Sequence, residues 1–224
     1  MSIHILLDNA DTSLWEEWSS SGLFHGITTN PTLLKQANQA CEINNLETLA
    51  QKAEELGFQE LHLQAWGKSL EELEMCAFLI SEIKLSSLQI HVKIPITLSG
   101  SQVAQKLIAA RNSITLTACY EPKQVLIADA LQATYIAPYL GRINDQGEDG
   151  LSKLVVMQKC LIGLKSSCKL LVASLRSLSE IIYLAKEGVD TFTINPSLAK
   201  DMYDVPKTIE AVRVFENDSR HIQQ

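Results

Sequence analysis

Short apolar runs recur along the chain at 3–7, 24–28, 60–64, 90–94, 113–117, 134–137, 169–174 and 190–194, most of them rich in β-branched or aliphatic residues. Runs of this length predict strands. Between them lie longer stretches with helical spacing of apolar positions, among them 46–56, 70–83, 101–110, 122–131, 151–164 and 177–186. Strands alternating with helices predict a parallel sheet, and eight such units in 224 residues match an α/β protein of the closed (β/α)8 barrel type, near its lower size limit. A doubly wound open sheet is the alternative, but no G-x-G-x-x-G follows any strand, so its nucleotide-binding version lacks support. No Pro/Gly/Ser-rich linker or low-complexity segment interrupts the pattern, which predicts one domain over 1–224. The tail, 205–224, reads as a helix to about 215 that either closes the eighth unit or docks on a neighbouring subunit.

The run 90–95 carries a conflict. With a period of two, Ile90, Val92 and Ile94 share one face, while His91 and Lys93 share the other. An unpaired ammonium in a buried strand either finds carboxylates or loses its charge. A desolvated lysine with lowered pKa is the nucleophile that forms Schiff bases with carbonyls. The plainer alternative is a snorkelling lysine at a strand end.

Barrel chemistry sits at the C-terminal ends of the strands. Standing there in order are Asp8; Thr28 with Thr29 and Asn30; Gln64; Lys93; Thr117; Tyr139 with Arg142 just beyond; Ser174 with Arg176 just beyond; and Asn195. Each has a structural reading of its own: Asn30-Pro31 and Asn195-Pro196 as helix starts, Ser174 as a cap, Tyr139 and Arg142 as loop residues. Together they place a lysine, a carboxylate, hydroxyls, amides and two arginines on one face. Ser174 and Arg176 follow strand seven, where barrels often hold phosphate, and the guanidinium fork suits phosphate oxygens. A phosphorylated carbonyl compound is the substrate these residues suggest.

Composition narrows the class. A net charge of −7 argues against a nucleic-acid surface but not against a small anion held by one or two arginines. No apolar run approaches the roughly 20 residues that span a bilayer, and the N-terminus lacks the basic start of a signal peptide, so a cytoplasmic location is expected. Five scattered cysteines without a C-x-x-C pair read as buried reduced thiols. By alternation His4, His62 and His91 point into the barrel, deeper than Asp8, Gln64 and Lys93. No fixed-spacing ligand motif accompanies them, so hydrogen-bonded core histidines are expected rather than a metal site.

The elements Leu7-Asp8, Gly26-Ile27-Thr28-Thr29-Asn30-Pro31-Thr32, Val92-Lys93-Ile94-Pro95-Ile96-Thr97 with Gly100, Ala137-Pro138-Tyr139 with Gly141-Arg142-Ile143, and Ala173-Ser174-Leu175-Arg176 run nearly end to end. In order and spacing they resemble the transaldolase family, in particular its short members typified by fructose-6-phosphate aldolase. The resemblance implies a Schiff-base mechanism on a (β/α)8 barrel with neither metal nor cofactor. Lys93 would attack C2 of a ketose phosphate, Asp8 and Asn30 would hold its hydroxyls, and Arg142, Ser174 and Arg176 would bind its phosphate. It also implies a ring-shaped homo-oligomer, such as a decamer, with exchanged C-terminal helices. Asn9, Leu175 and the three deep histidines depart from the family pattern beside the site.

Three activities follow as expectations. The first is an aldolase making or cleaving fructose 6-phosphate from dihydroxyacetone and glyceraldehyde 3-phosphate. The second is a transaldolase passing the dihydroxyacetone unit to another aldose phosphate, and the third a non-catalytic sugar-phosphate binder. In the resembled family, glutamine and tyrosine at the positions of Gln64 and Tyr139 mark aldolases, and glutamate and phenylalanine mark transaldolases. Tyr139 with Gln64 and Thr117 would then position the water that releases the product.

Overall fold

The computed structural model of the chain describes residues 2–221. Eight parallel strands hydrogen-bond in sequence order and close on themselves: β1 (His4–Asp8), β2 (Gly26–Thr28), β3 (Glu60–Gln64), β4 (Gln89–Pro95), β5 (Ser113–Cys119), β6 (Tyr135–Pro138), β7 (Lys169–Val172) and β8 (Thr191–Ile194). The expected (β/α)8 barrel is therefore the fold. Helices α1 (Thr12–Ser19), α2 (Pro31–Gln36), α3 (Ile43–Glu55), α4 (Leu70–Ser81), α5 (Leu98–Ala109), α6 (Gln124–Leu131), α7 (Leu140–Asp145), α8 (Gly150–Leu164), α9 (Leu178–Lys186), α10 (Pro196–Tyr203) and α11 (Pro206–His221) fill the connections and the tail. Among the described residues no helix is long and apolar enough to cross a membrane.

Alternation along the strands sorts the side chains into two environments. Leu7, Ile27, Leu61, Leu63, Val92, Ile94, Ile114 and Phe192 point outward and pack against the helices, and this shell is the main hydrophobic core. The inward positions form only a small apolar cluster of Leu6, Tyr135, Ala137 and Leu171. The rest of the lumen is polar: Thr28, His62, His91, Lys93, Thr115, Thr117, Thr191 and Thr193 are all buried. Burying these groups carries a desolvation cost unless partners are found inside.

Several local features differ from the sequence expectation. The strand expected over 169–174 ends at Val172, and Ser174 takes a left-handed backbone with φ 59°. Ser174 does not cap the following helix; Ser177 does, with its hydroxyl accepting from the Glu180 amide while the Glu180 carboxylate accepts from the Ser177 amide. The strand over 113–117 runs on to Cys119 through a register shift at Ala118, whose φ is 57°. The tail helix extends to His221 rather than stopping near 215. Of the expected thiols, Cys76, Cys119 and Cys168 are buried and Cys160 partly so, but Cys41 is exposed; all five are free.

Gly100 ties the fold to the site. Thr97 caps α5, its hydroxyl accepting from the Gly100 amide at 3.0 Å, and the turn folds back on the end of β4. A Cβ at position 100 would overlap the Pro95 carbonyl oxygen. Gly100→Ala must therefore push α5 off the strand that carries Lys93, and it is expected to lower unfolding free energy by about 1–3 kcal/mol in urea denaturation. An unchanged midpoint would show that the turn yields without strain.

Candidate active site

Lys93 stands on the inward face of β4, 4% exposed, and its Nζ donates to the Thr29 carbonyl oxygen at 3.0 Å. Among the described residues no carboxylate lies within ion-pair distance of it. Burial lowers its pKa from the ordinary value, and the charge of Asp8, acting through space, opposes that shift. Asp8 responds in the complementary sense: burial raises its pKa, outweighing Lys93, Thr28 and Arg142. Both shifts favour the neutral forms, so the amine is biased toward a free nucleophile and the carboxylate toward holding a proton.

The carboxylate is held by a relay. Thr28 donates to Asp8 Oδ1 at 2.7 Å, and the Thr28 and Thr193 hydroxyls are 2.6 Å apart. Since Thr28 spends its proton on Asp8, Thr193 supplies the proton between the two hydroxyls. Across the mouth, the bulge at Ala118 turns the end of β5 so that Thr117 Oγ1 meets the Tyr139 hydroxyl at 2.7 Å. Tyr139 directly follows β6 and bridges to Ala173. The Tyr120 ring meets its edge, with centroids 5.7 Å apart, and the Arg142 guanidinium lies 4.8 Å from its ring centre. These contacts fix the phenol in one orientation.

The two arginines occupy different situations. Arg142, on α7, lines the cleft with Asp8, Asn30, Lys93, Tyr139 and Ser174, enclosing about 180 Å³. Arg176 does not line it. Its guanidinium forms a two-pronged pair with Asp145, Nη1 donating to Oδ1 at 2.6 Å and Nη2 to Oδ2. Gly141 allows the backbones to close here: its amide donates to the Ser174 carbonyl at 2.9 Å, and a Cβ would overlap that carbonyl and Arg176 Nε.

Of the residues picked from sequence, Asp8, Asn30, Lys93, Tyr139, Arg142 and Ser174 converge on one cleft, with Thr28 and Thr117 braced directly behind. Asn30 serves twice, since its Oδ1 also caps α2 by accepting from the Thr32 and Leu33 amides. Gln64 is in register with Lys93, yet its side chain lines an adjoining hollow beside Trp66, Pro95 and Thr97 rather than joining Thr117 and Tyr139. Reasoning from sequence missed the Thr29 carbonyl, Thr193 and Asp145. The alternation of β8 places Thr193 on the inward face, whereas nothing in the pattern joins Asp145 to Arg176. A hollow of about 680 Å³ lies at the opposite end, against the starts of β1, β7 and β8. It is remote from these groups.

His62 and His91 face inward as expected, one layer below Gln64 and Lys93, whereas His4 is only partly buried and stacks on His25 at 4.2 Å. They are not all satisfied: His4 Nδ1, His62 Nε2 and His91 Nδ1 are buried without a hydrogen-bond partner. Together with Glu60, His62 and His91 place three metal-capable side chains within reach of one another.

The chain is similar to several known proteins. A probable transaldolase of Chelativorans sp. (strain BNC1) is 26% identical over 212 residues, covering 95% of this chain and 94% of that protein. A probable transaldolase of Caulobacter sp. (strain K31) is 28% identical over 221 residues, covering 96% of both chains. That of Maricaulis maris (strain MCS10) is 29% identical over 214 residues, covering 95% and 94%. The family model described as transaldolase/fructose-6-phosphate aldolase matches residues 5–224, and with that nearly end-to-end match the chain belongs to this family.

Proposed function

We propose that the chain is a class I aldolase that cleaves or forms fructose 6-phosphate through an imine on Lys93. The observation that carries this reading is the buried amine of Lys93 at the mouth of the barrel, its basicity lowered by burial and its cleft shared with Asp8 and Tyr139. Neutral Lys93 adds to the C2 carbonyl, and loss of water gives the iminium. Asp8 takes the proton of the C4 hydroxyl as the C3–C4 bond breaks and its electrons enter the iminium. Glyceraldehyde 3-phosphate leaves and a dihydroxyacetone enamine remains on the lysine. Protonation of the enamine carbon and attack by water then return Lys93 and release dihydroxyacetone.

The fate of the enamine decides between aldolase and transaldolase. The Tyr139 hydroxyl, oriented by Thr117, supplies a proton donor beside the cleft, which favours release. A second reading, transfer of the unit to an aldose phosphate, is supported by the relatives' names. The reading includes a homo-oligomer: Ile209, Val212, Val214 and Phe215 leave apolar surface exposed on α11, in keeping with a tail that docks on another copy.

Phosphate binding requires Arg176 to exchange Asp145 for substrate. Support for this exchange comes from the two-pronged Asp145 pair, since a carboxylate and a phosphate engage the guanidinium fork in the same way. Ser174 and Arg142 meet the same group from the cleft side.

Borohydride reduction in the presence of dihydroxyacetone or fructose 6-phosphate should leave a stable adduct on Lys93 by mass mapping, and none in Lys93→Met. With fructose 6-phosphate alone, free dihydroxyacetone should appear without an added aldose phosphate; in Tyr139→Phe its release should fall by about 100-fold while the adduct still forms. No adduct at saturating ketose would sink both enzymatic readings, and a strict need for an acceptor would select the transaldolase. For the phosphate site, Arg176→Ala should raise KM for fructose 6-phosphate by about 10- to 100-fold, the loss of one charge-assisted contact of about 1.5–3 kcal/mol, with little change for unphosphorylated fructose. Equal loss for both sugars would remove Arg176 from the phosphate site.

A further inference from the structure

Beneath the reacting layer, the floor of the lumen holds a carboxylate that, among the described residues, has no basic partner of fixed charge. Glu60 opens β3 and points inward at 5% exposure. Gly26, in register with it on the neighbouring strand, leaves the room; a Cβ there would overlap the Glu60 backbone and side chain. Its ion-pair partners are two imidazoles: His91 Nε2 stands 3.2 Å from Oε2 and His62 Nε2 stands 3.6 Å from Oε1. The Tyr135 hydroxyl donates to Oε2 at 3.2 Å. His62 and His91 are themselves stacked, with ring centres 4.4 Å apart and planes at 13°, so charging both would set two cations face to face in a dry core.

Geometry leaves this cluster unfinished. His62 Nδ1 lies 2.8 Å from Thr115 Oγ1, a hydroxyl that can accept its proton. With the proton there, the Nε2 lone pair faces the carboxylate across a gap too long for a hydrogen bond, and both His62 Nε2 and Glu60 Oε1 are buried without a partner. A lone pair opposite a carboxylate is repulsive unless a cation stands between.

We propose that Glu60, His62 and His91 form a binding site for a divalent transition-metal ion of the zinc class, separate from the Schiff-base site. Two imidazoles and a carboxylate suit zinc, with bonds of about 2.0–2.2 Å and hence ligand-to-ligand edges of about 3.3 Å in a tetrahedron. The His91 Nε2 to Oε2 edge, 3.2 Å, is close to that value, and His62 Nε2 stands 3.6 Å from the other oxygen, Oε1, so the carboxylate turns to offer one oxygen to both. The remaining edge, between the imidazoles, is within 4.8 Å and closes as the rings rotate out of their stack. Tyr135 or a water completes the fourth position. Thr115 plays the part of the outer partner that fixes the tautomer of a ligating histidine. The ion would clamp β3, β4 and β6 from inside the barrel, two residues before Lys93 on its own strand, as a structural site without a role in bond making.

The test uses the full chain stripped with a chelator and dialysed. Zinc chloride titrated calorimetrically should bind once per chain and raise the melting temperature, and cobalt(II) in its place should show the visible d–d bands of a tetrahedral site. Glu60→Gln and His91→Leu should each weaken zinc binding by more than about 100-fold, beyond the loss expected for an outer partner. Circular dichroism and the borohydride adduct on Lys93 serve as the check that each variant is folded. The proposal fails if the wild-type chain takes up no zinc or cobalt, or if binding survives in the folded variants. It fails equally if binding is abolished by His25→Ala instead, which would place the ion on the His4–His25 stack.

Discussion

An amine that has been taken out of water cannot keep its ordinary acidity, and the lumen of this barrel is built around that constraint. Lys93 has a carbonyl oxygen rather than a carboxylate as its hydrogen-bond acceptor, so its charged form is poorly compensated. Asp8 is near enough to share the cleft and is itself destabilised as an anion. Had the two made a contact ion pair, both would be locked in charged form. Separated, with Thr28 and Thr193 holding the carboxylate in place, each keeps access to the protonation state that the proposed imine chemistry needs.

The closed barrel supplies this environment at little cost in precision. Outward positions form the apolar shell that holds the strands against the helices, which frees the inward positions for polar groups. Parallel register then stacks them: Lys93 lies level with Gln64 and Thr115 on its two neighbours, and His91 level with His62 and Ser113. The layer that holds Lys93 and the Glu60 cluster below it are thus successive turns of one pleat. Any force that moves β4 along its axis acts on both.

Much of this was legible in the chain. Parallel strands buried on both sides read as compact apolar runs, so all eight were visible, and the period of two separated Lys93, His62 and His91 from their outward neighbours. The short helices α2, α7 and α10 start within a residue or two of a strand end, and six to eight residues give too little periodicity to register. The bulge at Ala118 and the left-handed Ser174 escaped because neither position carries glycine. Pairings between distant segments were equally silent: Arg176 is held by Asp145, 31 positions away, and Glu60 collects partners from β4 and β6. Gln64 shows the limit of alternation, which set the face of the strand but not which hollow the side chain enters.

The protonation of Lys93 itself is the most direct measure of this account. The pH dependence of imine formation with dihydroxyacetone, followed by trapping with borohydride at each pH, reports the pKa of the amine. It should fall below the ordinary lysine value of 10.5, and in Asp8→Asn it should fall further, because the Asp8 charge is the influence that holds it up. A value at or above 10.5, or one that Asp8→Asn leaves unmoved, would contradict the claim that burial opposed by Asp8 sets the reactivity of this lysine.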